Sequence, residues 1–210
     1  MDFRRLLLGT TVTTAATALV GVVTATAGAG LTCEFPANFM SFIEWSHRLV
    51  AMVTGILIVA STAAAWRGGR SRRVRYATLG ALFLTPVQVL FGAFTVLVRQ
   101  FVFGYSVVVL TLHFVLASSI LALLVAATAW TDAAETAVTA GRVRQAGAVA
   151  LPCFPVMIAL TPRLFVTFGE VTQFIYYAVG FGTFAALCLV ALWSRELDAG
   201  LVSAAGGLGA

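Results

Sequence analysis

Phe42-Ile43-Glu44-Trp45-Ser46-His47-Arg48-Leu49-Val50-Ala51-Met52-Val53-Thr54-Gly55-Ile56-Leu57 opens a run that continues without a further charge to Trp66. A helix needs ~20 mostly apolar residues to cross a bilayer. This run is long enough, yet it holds a carboxylate, an imidazole and a guanidinium at one end. Such groups are costly in hydrocarbon and mark function by default.

Working outward, five more segments have the same character. The six run from Leu6 to Gly28, Phe42 to Trp66, Tyr76 to Val98, Tyr105 to Trp130, Ala146 to Phe165 and Val171 to Trp193. Backbone polar groups in lipid must be satisfied within the segment, so each reads as a helix. Barrel-type alternation is absent. The fold class expected is all-α, a polytopic membrane bundle of about six helices. Pro152 and Pro155 are expected to kink the fifth.

Composition agrees. Hydrophobic residues are 60% of the chain and charged residues 10%, whereas soluble domains are about a quarter charged. The net charge of +5 comes from thirteen arginines and no lysine. No basic face is interleaved with stacking aromatics, so nucleic acid is not the partner. Three cysteines, Cys33, Cys153 and Cys188, form no CxxC pair. That excludes a disulfide framework, covalent c-type haem attachment and a zinc ribbon.

The arginines orient the helices. Arg4 and Arg5, then Arg67, Arg70, Arg72, Arg73 and Arg75, then Arg142 and Arg144, then Arg195 all fall on one side, ten of the thirteen. That side is cytoplasmic by the positive-inside rule. Both termini are then inside a plasma-membrane protein, and the loops around Cys33, Gln100 and Arg163 face out. Trp66, Trp130 and Trp193 mark inner interfaces and Trp45 an outer one. Arg4-Arg5 with Ala25, Ala27 and Ala29 resembles a cleavable signal peptide. Its apolar run of about 22 residues exceeds the 7–15 of an h-region, which favours an uncleaved helix.

The chemistry clusters near the outer face. Glu44 and His47, three apart, share a helix face, and Glu44 can pair with Arg48 four residues on. His47 and His113 are the two histidines of the chain, at depths of ~8 and ~12 Å in parallel helices. Two histidines are too few for a zinc site. Haem brings four nitrogens and lacks only axial ligands, so it fits this pair better. Ala51, Thr54 and Gly55 continue the His47 face and Ala117 follows His113. These small residues leave room for a flat macrocycle, and they are also ordinary helix-packing residues. Arg48 and Arg99 lie where propionates would want cations. Gln88, mid-membrane, either meets a haem edge or joins helices. For either histidine taken alone, the plainer reading is a hydrogen bond to a neighbouring helix.

These residues resemble a known family. Ala29-Gly30-Leu31-Thr32-Cys33, Glu44-Trp45-Ser46-His47-Arg48, Pro86-Val87-Gln88-Val89-Leu90-Phe91-Gly92-Ala93-Phe94-Thr95-Val96 and His113 with Phe114 to Ser118 are similar, in order, to motifs of the haem A synthase family. The resemblance covers about residues 1–130. It implies oxidation of a methyl group of haem O to the formyl group of haem A for terminal oxidases. His47 and His113 would be axial iron ligands and Glu44 the catalytic carboxylate. Haem b, haem O or both would be bound. Haem O synthase, oxidase subunits, an electron donor or a second copy of the chain would be partners.

The chain departs from that family in two ways. Full-length members have two tandem four-helix halves, each with a histidine pair. Here residues 131–210 supply two helices without histidine, so the expected division is a haem-binding bundle over 1–130 and an extension over 131–210. The first outer loop has Cys33 alone, so it has no intraloop disulfide. Phe174-Ile175 near Glu170 faintly echoes Phe42-Ile43. The competing readings are a bis-histidine b-type cytochrome, in which Glu44 merely partners Arg48, and a non-catalytic oxidase-assembly or haem-handling protein.

Overall fold

The structure is a computed structural model that describes residues 2–26, 38–101, 107–162 and 166–207; the side chains of Val96, 98–101 and 199–207 are outside that description. Among these residues every element is a helix: α1 (Phe3–Thr26), α2 (Phe39–Arg67), α3 (Arg72–Phe101), α4 (Val107–Glu135), α5 (Ala140–Ala150), α6 (Cys153–Ala159) and α7 (Glu170–Gly207). Five of them, α1, α2, α3, α4 and α7, are long and apolar enough to cross a membrane. The chain is a multi-pass, all-helical membrane protein, as its composition requires.

Helices α1 to α4 close into a ring. α1 packs on α2, α2 on α3, α3 on α4, and α4 back on α1, while α1 and α3, and α2 and α4, make no close approach among the described residues. Consecutive antiparallel neighbours follow from the short connections. The α2–α3 turn shows how tightly the chain reverses. Gly69 sits at φ +60°, where a side chain would clash. Its N–H donates to the Trp66 carbonyl (3.3 Å) and the Arg70 N–H to that of Ala65 (3.1 Å), closing α2 with a Schellman pattern.

The dry core fills only the inner half of the ring. Phe3 and Leu7 of α1, Ile58 and Ala65 of α2, Val74, Ala77 and Ala81 of α3, and Ile120, Leu124 and Ala127 of α4 form one buried cluster. Hydroxyls join the helices across it. Thr10 and Ser61 are 2.8 Å apart, Thr11 and Thr128 3.1 Å, and Thr62 donates to the Thr78 carbonyl at 3.0 Å. In lipid, where apolar contact alone drives little association, such bonds and small residues hold helices together. The inner rim is pinned by charge: Arg4 and Arg142 both meet Asp132, Arg70 meets Glu135, and Arg73 meets Glu196.

α7 lies outside the ring in the seam between α1 and α4. Phe181 is buried there with Leu121 and Val125, and lower down the Trp193 indole N–H donates to the Ala129 carbonyl at 3.4 Å. α7 therefore runs parallel to α4, starting at the outer level.

The fifth apolar segment is not one continuous helix. It is α5 and α6, of 11 and 7 residues, separated at Leu151-Pro152. Pro152 and Pro155 lack the N–H that would continue the ladder, and their rings crowd the preceding turn. The kink expected there is a full break. Even so the pair climbs alongside α7: Ala146 packs near Trp193, and the Met157 methyl lies 3.5 Å from where a Cβ on Gly180 would stand. Residues 140–159 span ~30 Å at 1.5 Å per residue. The pair thus runs beside α7 from the end of α4 at Glu135 back toward the start of α7 at Glu170.

Candidate haem site

The start of α2 is set by its cap. The Asn38 side chain accepts the Ser41 N–H at 2.9 Å, and the Asn38 N–H donates to the Ser41 hydroxyl at 3.2 Å, a reciprocal box that satisfies two otherwise orphaned donors. From that start, His47 is ~12 Å along α2. His113 is ~9 Å from the first described residue of α4. The two depths remain similar.

The ring topology then places the histidines across from one another. They stand on α2 and α4, the diagonal pair that does not pack directly, at the outer level above the dry core. Both rings are partly buried. Each keeps one buried nitrogen, Nδ1, without a hydrogen-bond partner among the described residues. The other nitrogen of His113, Nε2, is 3.3 Å from the Gln88 amide nitrogen of α3. That amide can donate to it when the ring nitrogen is unprotonated.

Glu44 is 4% exposed, which is unusual for a carboxylate. Its carboxylate meets the Arg48 guanidinium one turn on, and Arg48 itself is exposed. So the acid turns inward on the His47 side of α2, while its cation reaches the outer surface. Thr54, two turns below His47, is bound to Thr17 of α1 (2.7 Å between hydroxyls), and a Cβ on Gly55 would meet open space.

Not every candidate converges here. The Arg99 side chain and Cys33 lie outside the described residues, as does Arg163. Phe174 and Glu170 belong to α7, which packs outside the ring. Cys153 and Cys188 are free thiols.

Two residues with no role in the sequence reading also stand at the site. A Cβ on Gly21 of α1 would come 3.0 Å from His47 Cε1, and one on Gly92 of α3 would come 3.2 Å from His113 Cε1. Each imidazole thus lies edge-on against the bare backbone of the helix preceding its own. The signal for this was in the sequence. Leu19, Gly21 and Thr24 repeat the spacing of Leu90, Gly92 and Thr95, ahead of a histidine each time.

The donor set suits haem and not a bare ion. Among the described residues no group of three or more His, Cys, Asp or Glu could hold a metal alone. Two imidazoles on the diagonal helices α2 and α4, each with an Nδ1 that has no hydrogen-bond partner among the described residues, are the donor set a macrocycle would need.

The chain is 35% identical over 128 residues to a protoheme IX farnesyltransferase of Halobacterium salinarum, covering 56% of this chain and 28% of that protein. It is 35% identical over 82 residues to a heme A synthase of Bacillus licheniformis, 38% of this chain and 26% of that one. A protoheme IX farnesyltransferase of Haloarcula marismortui is 38% identical over 64 residues, 29% of this chain and 14% of that protein. The chain thus spans about a quarter or less of the length of these relatives. No solved structure matches it. Residues 37–166, more than half of the chain, match the family described as cytochrome oxidase assembly protein (COX15-CtaA), and they contain Glu44, His47, Gln88 and His113. The chain belongs to this cytochrome oxidase assembly family.

Proposed function

We propose that the chain is a haem A synthase-type oxidoreductase that oxidises a methyl group of haem O to a formyl group for terminal oxidase biogenesis. The observation that carries this reading is the placement of His47 and His113 across the ring, with the buried Glu44 on the His47 side. The relative named heme A synthase and the family match support it.

His47 and His113 would hold the haem iron, and the haem would supply the redox chemistry. The rest falls to the chain. Conversion of a methyl group and water to a formyl group releases four protons and four electrons. Glu44 is the group placed to take protons, and Arg48, paired with it and exposed, links it to the surface. Arg48 and Arg99 would meet propionates, and Gln88 orients His113. The electron acceptor is a separate partner. On this reading residues 1–130 form the haem-binding bundle, residues 131–210 brace it, and both termini are cytoplasmic.

The resemblance to a farnesyltransferase favours a shared haem-binding region over shared prenyl transfer. A prenyl diphosphate needs Mg²⁺ held by carboxylates. Asp132 and Glu135, the acidic pair in the α4 end, are already occupied by arginines.

The Glu44–Arg48 pair also suits an electron-carrying b-type cytochrome or a haem-handling assembly protein, and one experiment separates them. Protein purified from cells that supply haem O is extracted and its haems are identified by chromatography. Haem A or a hydroxylated intermediate is expected, falling roughly 100-fold or more in Glu44→Ala. Haem b alone, bound and reversibly reducible, points to the cytochrome. Absence of haem with both histidines intact defeats the haem site itself.

A further inference from the structure

The two glycines at the site occupy equivalent places in a repeated hairpin. α1–α2 and α3–α4 each present Leu-x-Gly-x-x-Thr on the first helix and a histidine on the second. In each, the imidazole Cε1 faces the glycine, at 3.0 Å and 3.2 Å from a built Cβ. These distances are tighter than nine in ten real Cβ contacts, so an alanine would make each ring give by a few tenths of an ångström. One turn earlier stand Thr17 in α1 and Gln88 in α3. Thr17 is tied to α2 through Thr54, and Gln88 touches His113 directly. Glycine inside a helix is a poorer helix former than alanine. Its use at both equivalent positions, against both imidazoles, therefore has a local steric reason.

We infer that Gly21 and Gly92 are positioning residues: each seats the edge of one imidazole and so sets the tilt at which His47 and His113 present themselves to a haem iron. This rests on the haem reading above. The seats are matched but their surroundings are not. The hairpin with His47 carries Glu44 and Arg48, whereas the positions equivalent to these around His113 are Leu110 and Phe114. The glycines would thus hold two similar ligands, while polarity distinguishes the two sides of the site.

The test uses the full chain, loaded with protohaem, as wild type, Gly21→Ala, Gly92→Ala and Gly182→Ala. Gly182, on α7 outside the ring, is the control, because its Cβ meets open space. Low-spin electron paramagnetic resonance and the reduction potential are read on each, with elution volume and far-ultraviolet circular dichroism reporting the fold. The wild type and Gly182→Ala should give one bis-histidine low-spin signal. Gly21→Ala and Gly92→Ala should each lose at least half of it to a high-spin or shifted species, and millimolar free imidazole should restore it. Should either variant misfold, adding His47→Ala to Gly21→Ala, or His113→Ala to Gly92→Ala, removes the clash and should recover the fold; no recovery overturns the inference. Variants with signals and potentials identical to wild type also overturn it while leaving the haem reading intact. A wild-type protein with no bis-histidine signal defeats both.

Discussion

At the residue scale, the site is held by hydrogen bonds between helices as much as by packing. Thr17 and Thr54 join α1 to α2 two turns below His47, at 2.7 Å. The Thr17 hydroxyl also donates to the Thr13 carbonyl within α1 at 2.8 Å, so Thr54 supplies the link between the helices. Thr54→Val keeps the shape and removes the bond. We predict a loss of roughly 0.6–1 kcal/mol, the usual worth of such bonds in membranes, seen as a lowered thermal midpoint in detergent. Glu44 illustrates a different balance. A carboxylate at 4% exposure is costly, and the nearby Arg48 offsets that cost while leaving the acid turned inward.

At the scale of single elements, boundaries decide which residues reach the site. The Asn38–Ser41 box starts α2 two turns before Glu44 and His47. Asn38→Ala should cost about 1 kcal/mol and fray that first turn. Amide hydrogen exchange would show it as faster exchange confined to residues near 41–44, with the inner half of α2 unchanged. Proline acts in the opposite sense in α5–α6, where Pro152 and Pro155 end one helix and begin another. The apolar length of that segment was plain from its residues. Whether two prolines bend or break it depends on neighbours, and α7 offers a long surface on which two short helices can rest separately. Pro86, by contrast, is absorbed within the continuous α3.

At the scale of the whole molecule, a ring of four helices has its buried apolar cluster at one end and the histidines nearer the other, with α7 bracing the α1–α4 seam. Arg4, Arg70, Arg73 and Arg142 close the rim at the apolar-cluster end on Asp132, Glu135 and Glu196. Arginine placement predicts that this rim is cytoplasmic. In a chain with Cys33, Cys153 and Cys188 replaced, Ala137→Cys should react with a membrane-impermeant maleimide only after lysis, and Gly169→Cys in intact cells. The reverse pattern would overturn the topology and with it the outer placement of the site. The same experiment checks that the broken α5–α6 pair still carries the chain across.

The residues alone determined the helical class and the apolar segments, and they singled out an expected orientation and the candidate ligands. Apolar length, charge placement and the rarity of ionisable groups in lipid are local properties that survive without coordinates. Tertiary structure decided what depends on partners far along the chain. It put α2 and α4, which carry His47 and His113, on a diagonal, and it brought Gln88 to His113. It also laid each imidazole against a glycine of another helix, 26 residues away for His47 and 21 for His113. Spacing along one helix fixes which side chains share a face. Only the packing of several helices fixes what that face meets.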